Sequence, residues 1–167
     1  MVDSKKRLKK ILIAAVSKNG IIGNEGKIPW HSKEELNHFK NTTLNSTVIF
    51  GRKTFLSLKR PLKNRTNIII SRTHKLNSTK DILVFPSLKN AYRYLIKKET
   101  DKVFICGGYQ LYRSSLKSLD EMIITEMKLT IEGDTKFPKL NYSNWNLVKV
   151  NKYKEFDVKF YQRKKIQ

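Results

Sequence analysis

Before residue 107 the chain carries five short apolar, β-branched runs, at residues 11–16, 47–50, 67–71, 82–84 and 103–106. They are near-continuous rather than alternating, the pattern of strands covered on both faces, and so predict a largely parallel sheet. Helix signals fall between them, at 32–43, 54–58, 87–98 and 108–115, and strand-helix alternation defines the α/β class. From residue 121 onward the pattern changes to three strands, at 122–128, 146–154 and 158–163, the last two joined by a short polar turn. These predict an antiparallel edge on the parallel sheet. The expected fold is one α/β domain with a mixed, mostly parallel sheet of about eight strands and about four flanking helices.

The 167 residues, 39% of them hydrophobic, suffice for one core. A net charge of +21, from 35 Lys+Arg against 14 Asp+Glu, favours anionic partners such as nucleic acid, an acidic membrane or a dinucleotide phosphate. Lysines are scattered through every segment, which argues for compositional drift rather than a binding stripe. The best nucleic-acid candidate is 149–165, with seven bases and Tyr153, Phe160 and Tyr161. Those aromatics are expected to alternate into the sheet, so specific nucleic-acid binding is not predicted.

Cys106 is the only cysteine, so no internal disulfide is available, no Cys/His spacing suits zinc, and no metal is expected. A reducing, cytoplasmic setting is consistent with this, and no apolar run reaches transmembrane length. The basic residues Lys5, Lys6, Arg7, Lys9 and Lys10 precede an apolar stretch too short for a signal sequence. Residues 1–10 read as a basic tail feeding a domain of 11–167.

On a helix from Ser32 each residue turns by about 100°, which places Glu35, Leu36, Phe39 and Thr43 on one face and Glu34 nearly opposite. Glu35 then shares an apolar side, where a desolvated carboxyl rises in pKa and suits proton handling. The same residues also spell a capping box, Ser32-x-x-Glu35, in which Glu35 reaches back to the Ser32 amide. Local residues leave the two readings open.

Two strand ends run into glycine and then helix: Gly51-Arg52-Lys53-Thr54 and Cys106-Gly107-Gly108-Tyr109. Free amides and a positive dipole end there suit an anion, and glycine permits close backbone approach. Neither is a nucleotide fingerprint alone, but both should lie beyond the carboxyl ends of the sheet, where α/β proteins bind ligands. Arg65, before the third predicted strand, could hold a carboxylate bidentately or be one more exposed base. Leu58 and Leu62 beside it read equally well as core.

In order along the chain stand Ala14-Ala15, Ile22-Gly23, Pro29-Trp30, Glu35 with Phe39, Gly51-Arg52-Lys53-Thr54, Arg60-Pro61-Leu62, Arg65, Gly107-Gly108 with Tyr112, Thr125, and Glu132-Gly133-Asp134-Thr135 with Phe137-Pro138. With these motifs the chain resembles the dihydrofolate reductases from Ile11 to about Lys165. The resemblance implies reduction of 7,8-dihydrofolate to tetrahydrofolate by NADPH, with dihydrofolate and antifolates as ligands and a monomeric protein. It implies Glu35, Trp30 and Thr125 as the catalytic set: Glu35 on the pterin, Thr125 bridging to it, and Trp30 ending a mobile loop from Gly23. It implies a substrate pocket of Ile13, Ala14, Ala15, Phe39, Leu58, Leu62 and Cys106, with Arg65 on the glutamate carboxylate. Its implied cofactor contacts are Ala15, Ile22, Gly23, Gly51, Arg52, Lys53, Thr54, Ser71, Arg72, Gly107, Gly108, Tyr109, Gln110, Leu111 and Tyr112, and Asp134 would hold the mobile loop closed. A related reductase acting on a riboflavin-pathway pyrimidine fits poorly beside the intact Pro29-Trp30, Glu35 and Arg65.

Overall fold

A computed structural model describes residues 6–73 and 76–166. Its strands are β1 (Lys9–Val16), β2 (Ile21–Gly23), β3 (Thr47–Gly51), β4 (Thr66–Ile70), β5 (Ile82–Phe85), β6 (Lys102–Ile105), β7 (Glu121–Met127), β8 (Thr135–Lys136), β9 (Trp145–Lys152) and β10 (Phe156–Arg163). The helices are α1 (Lys33–Thr43), α2 (Arg52–Ser57), α3 (Leu88–Lys97) and α4 (Tyr109–Ser115). Eight strands form one sheet in the order β5-β4-β3-β6-β1-β7-β10-β9. All pairings from β5 to β7 are parallel, and β10 joins β7 and β9 antiparallel.

The apolar runs are continuous because alternate residues enter two different cores. On β1, Leu12, Ala14 and Val16 join one cluster while Ile11 and Ile13 join the other. On β3 and β6 the same division sets Ile49, Val103 and Ile105 against Val48, Phe50 and Phe104. A sheet buried on both faces cannot read as hydrophobic-polar alternation. Edge strand β9, by contrast, leaves Leu147 and Val148 half exposed.

Two expectations are corrected. The first strand begins at Lys9, not Ile11: Leu8 is core, Lys9 N–H donates to the Asp101 carbonyl, and Lys10 N–H donates to the Asp120 carboxylate. Acids in the loops before β6 and β7 draw this basic stretch into the sheet, while residues 1–5 of the expected tail lie outside the described residues. A second, two-stranded sheet of β2 and β8 has no counterpart in the sequence reading, because three- and two-residue strands carry too little periodicity to register. Leu36, expected on the same face as Glu35, is 55% exposed, and that exposure is to the open cleft, which it lines together with Glu35 and Phe39.

Arg163 at the end of β10 fastens α4. Its Nε donates to the Leu119 carbonyl and its Nη2 to the Leu116 carbonyl, while the guanidinium lies 4.4 Å from the Trp145 ring centroid. Arg163→Ala leaves two carbonyls without these donors and is expected to cost about 2–4 kcal/mol in urea unfolding. Arg163→Lys should recover little of it, because an ammonium lacks the planar fork. Among the described residues no helix is long and apolar enough to cross a membrane.

Candidate active site

The parallel strands end along one side of the sheet, and the cleft opens there, around the reversal of strand order between β1 and β6. It encloses about 1610 Å³, more than the roughly 300–1,000 Å³ of a single drug-sized ligand. Ile13, Ala14 and Ala15 from β1 form its floor, flanked by Thr125 of β7 and Cys106 after β6. Ala15 and Thr125 are direct partners in the β1–β7 register.

Glu35 enters from the first turn of α1 and is 7% exposed. Burial raises its pKa from 4.5 to about 7. The two local readings now separate. Ser32 is the N-cap, its Oγ accepting the Glu35 N–H at 3.2 Å, so the backbone of Glu35 takes part in the cap. Its carboxylate makes no return bond to the Ser32 amide; the side chain is left for the cleft.

The second wall is glycine backbone. Gly51 N–H donates to the Gly107 carbonyl at 2.7 Å and ties the ends of β3 and β6 together. Gly107 has φ +112°, and a Cβ there would lie 3.2 Å from Tyr112 Oη; one on Gly108 would lie 2.9 Å from Thr54 Oγ1. Tyr112 Oη in turn donates to the Ile13 carbonyl at 2.8 Å. The charged lining is one-sided: Lys27, Arg52, Lys53, Arg72, Lys89 and Lys136 against Glu35 and Asp134.

Nearly all the residues implied by the motifs share this cleft: Ile13, Ala14, Ala15, Ile22, Gly23, Glu35, Phe39, Gly51, Arg52, Lys53, Thr54, Leu58, Leu62, Ser71, Arg72, Cys106, Gly107, Gly108, Tyr109, Gln110, Leu111, Tyr112 and Thr125. Trp30 and Arg65 do not line it. Trp30 packs in the core on the Glu35 side, and its buried indole N–H has no partner among the described residues. Arg65 spends its donors on the protein: Nη1 on the Lys63 carbonyl, Nη2 on the Lys40 carbonyl, and both Nε and Nη2 on Thr43 Oγ1. A guanidinium has five N–H groups. A bidentate clamp on a carboxylate would therefore require some of these bonds to open. No hydrogen bond among the described residues joins Thr125 to Glu35 directly.

His38, three residues after Glu35 on α1, lines the cleft and was missed. The same 100° arithmetic that turned Glu35 inward would have found it. Burial lowers its pKa, which favours a neutral ring. The lid-side geometry was legible only in part: Asn24 and Lys27 exchange backbone hydrogen bonds across Glu25 and Gly26, both at positive φ. Asp134 Oδ2 accepts the Glu25 N–H at 2.9 Å, which together with the Thr135 hydroxyl lowers the Asp134 pKa. The aromatics of 149–165 are committed to packing: Tyr153 stacks on Phe156, Tyr161 is buried, and Lys149 lies over Phe160.

A buried carboxyl with a raised pKa, in a cleft with basic and glycine-backbone walls, is a site of the kind an NADPH-dependent oxidoreductase needs. Similarities to known proteins narrow the class. A family model described as dihydrofolate reductase matches residues 10–165. A dihydrofolate reductase of Mycoplasma genitalium is 36% identical over 160 residues, covering 92% of this chain and 98% of that protein. One of Haemophilus influenzae is 34% identical over 146 residues, covering 87% and 88%. The solved dihydrofolate reductase of Enterococcus faecalis, complexed with NADP(H) and RAB-propyl, superposes with a TM-score of 0.86 at 30% identity, covering 94% of this chain and 97% of that one. The chain belongs to the dihydrofolate reductase family.

Proposed function

We propose that the protein reduces 7,8-dihydrofolate to 5,6,7,8-tetrahydrofolate with NADPH, and that Glu35 is the group that orients the pterin and governs its protonation. The observation that carries the assignment of Glu35 is a carboxyl buried deep in the cleft, with its pKa raised to about 7 by desolvation alone. Pterin N–H donors reaching it would supply the missing hydrogen bonds and favour the ionised form, a charge-assisted pairing. Thr125, beside Ala15 on the floor, is placed to extend that contact. Ile13 offers a carbonyl lone pair beyond the one Tyr112 uses, and Phe39, Leu58 and Leu62 form an apolar sleeve for the aminobenzoyl ring.

The residues present also fit NADPH. The flat wall at Gly107 and Gly108 leaves no room for side chains, which suits a ring approaching the backbone. Arg52, Lys53, Ser71 and Arg72 offer cations and a hydroxyl for a 2′-phosphate, favouring NADPH over NADH. Bound there, NADPH supplies the hydride that reduces the pterin. Trp30 contributes an unpaired indole donor that could hold a water near the protonated nitrogen, and closing the 23–30 loop would restrict other water. Arg65 is the proposed site for the glutamate carboxylate through its remaining Nη1 donor.

The test follows NADPH absorbance with and without dihydrofolate. Consumption should require dihydrofolate, stop with methotrexate and weaken sharply when NADH replaces NADPH. Folded protein that consumes no NADPH would sink the assignment. We further infer a monomer, which light scattering checks, working in a reducing cytoplasm, a setting its single, buried cysteine is consistent with.

A further inference from the structure

The helix that carries Glu35 is thinly held. α1 fully buries two of its eleven residues, Glu35 and Thr43, with Phe39 packed against the core beside them, so fastenings at its ends add to a small packed face in fixing its position. At the C-terminal end Arg65 bonds the Lys40 carbonyl and Thr43. At the N-terminal end the fastening comes from 123 residues away: Ser32 Oγ donates to Glu155 Oε2 at 2.7 Å.

A serine hydroxyl has one hydrogen and two acceptor sites. Committing the hydrogen to Glu155 turns the remaining lone pairs to the helix, where the same oxygen accepts the Glu35 N–H. The carboxylate makes the bond charge-assisted, and stronger than a neutral pair. One hydroxyl thus joins Glu155 to the backbone of the cleft acid.

Glu155 sits in the turn between β9 and β10, and that turn is itself anchored. Lys128 N–H donates to the Glu155 carbonyl at 2.9 Å, and Lys128 Nζ donates to the Tyr153 carbonyl at 2.7 Å. Tyr153 stacks on Phe156, which is fully buried. Lys128 directly follows β7, the strand that carries Thr125. The strand that forms the cleft wall near Glu35 therefore also anchors the turn that holds the acid's helix.

We propose that Glu155 is a positioning residue, acting through Ser32 to set the depth of Glu35 in the cleft. This rests on the reading of Glu35 as the pterin-facing acid. With the fastening released, α1 can lift and water can reach the carboxyl. Desolvation raises the pKa of that group to about 7, so its titration should then move downward. The other titratable groups facing it stay neutral near pH 7: burial lowers His38 on α1 and raises Tyr112 on α4 and Cys106 after β6.

The experiment measures kcat, KM and the pH profile of hydride transfer for Glu155→Ala, Glu155→Gln and the neighbouring Lys154→Ala, with NADPH affinity as a check on the fold. Glu155→Ala should lower kcat about 5- to 10-fold, a fraction of the worth of one charge-assisted hydrogen bond, because the loss reaches the cleft only through Ser32. It should also move the Glu35-dependent limb to lower pH, with NADPH affinity unchanged. Glu155→Gln keeps an oxygen that accepts from Ser32 and should restore most of both values; Lys154→Ala should change neither. An unchanged pH limb in Glu155→Ala overturns the proposal. So does a Gln variant no better than Ala, which would mark a pure charge effect, or loss of NADPH affinity, which would mark general damage. If Glu35→Gln is fully active, the reading of Glu35 itself fails; if only the Glu155 variants behave as wild type, that reading survives.

Discussion

Glu35→Gln should bind NADPH normally and lose about 100-fold or more of its turnover, the lower end of what a positioned acid-base group contributes. The amide keeps the size of the carboxyl and one of its acceptor oxygens but can neither ionise against the pterin nor exchange a proton. Stability should move the other way, and its sign follows from the pKa. Glu35 in the folded protein stays protonated to about 7 against an ordinary 4.5, so between these values the folded state binds the extra proton. Its contribution is fully present below pH 4.5 and is lost as pH rises through about 7. In Glu35→Gln that loss is absent, and at pH 8 the variant should be the more stable by up to ~3 kcal/mol. Urea unfolding at pH 5 and pH 8, beside NADPH titration and turnover, checks all three statements. A variant with near-normal turnover would return Glu35 to a part in the helix cap alone.

The second large effect is expected at Gly133. A methyl group there would collide with Ile21 Cγ2 and lie 2.6 Å from the Gly23 carbonyl oxygen. One neighbour is backbone and cannot rotate away, so Gly133→Ala has to part β2 from β8. The cost should be about 1–3 kcal/mol, the range for overpacking a tight contact. The damage should be directional as well: Gly23 lines the cleft, and Asp134, next in sequence, accepts from the Glu25 N–H. Loss of NADPH affinity should therefore accompany the drop in melting temperature. A Gly133→Ala protein with both values unchanged would show that the two short strands do not set the shape of the loop.

Much of this architecture was readable because its signals are long or repeated. Each strand of the parallel core is a run of apolar residues shared between two faces, and α1 and α3 begin directly after Ser32 and Ser87, with which the predicted helices opened. Glu35 turned inward by helical arithmetic alone, but that arithmetic could not choose between cap and cleft, since the answer lay in which atoms of one residue do which task. Arg65 shows the opposite limit. Its residue type promised a carboxylate clamp, yet Lys40, Lys63 and Thr43 are close enough to occupy its donors, and nothing in the linear order reveals such neighbours. The bond from Ser32 to Glu155 escaped for the same reason, since it joins segments 123 residues apart, while β2 and β8 are both distant and too short to show a period.

The place of β1 has a consequence for how the molecule comes into being. It is synthesised first among the strands, yet it lies between β6 and β7, with Lys9 opposite Lys102 and Ile11 opposite Glu121. While the chain is growing, both of its edges and both of its apolar faces must wait for partners made about a hundred residues later. The cleft floor therefore has no partial form: Ala15 meets Thr125 only when nearly every other strand exists. Such distant pairing slows folding. It also makes capture of dihydrofolate a late event, one that stabilises only molecules in which β1 has been enclosed on both sides.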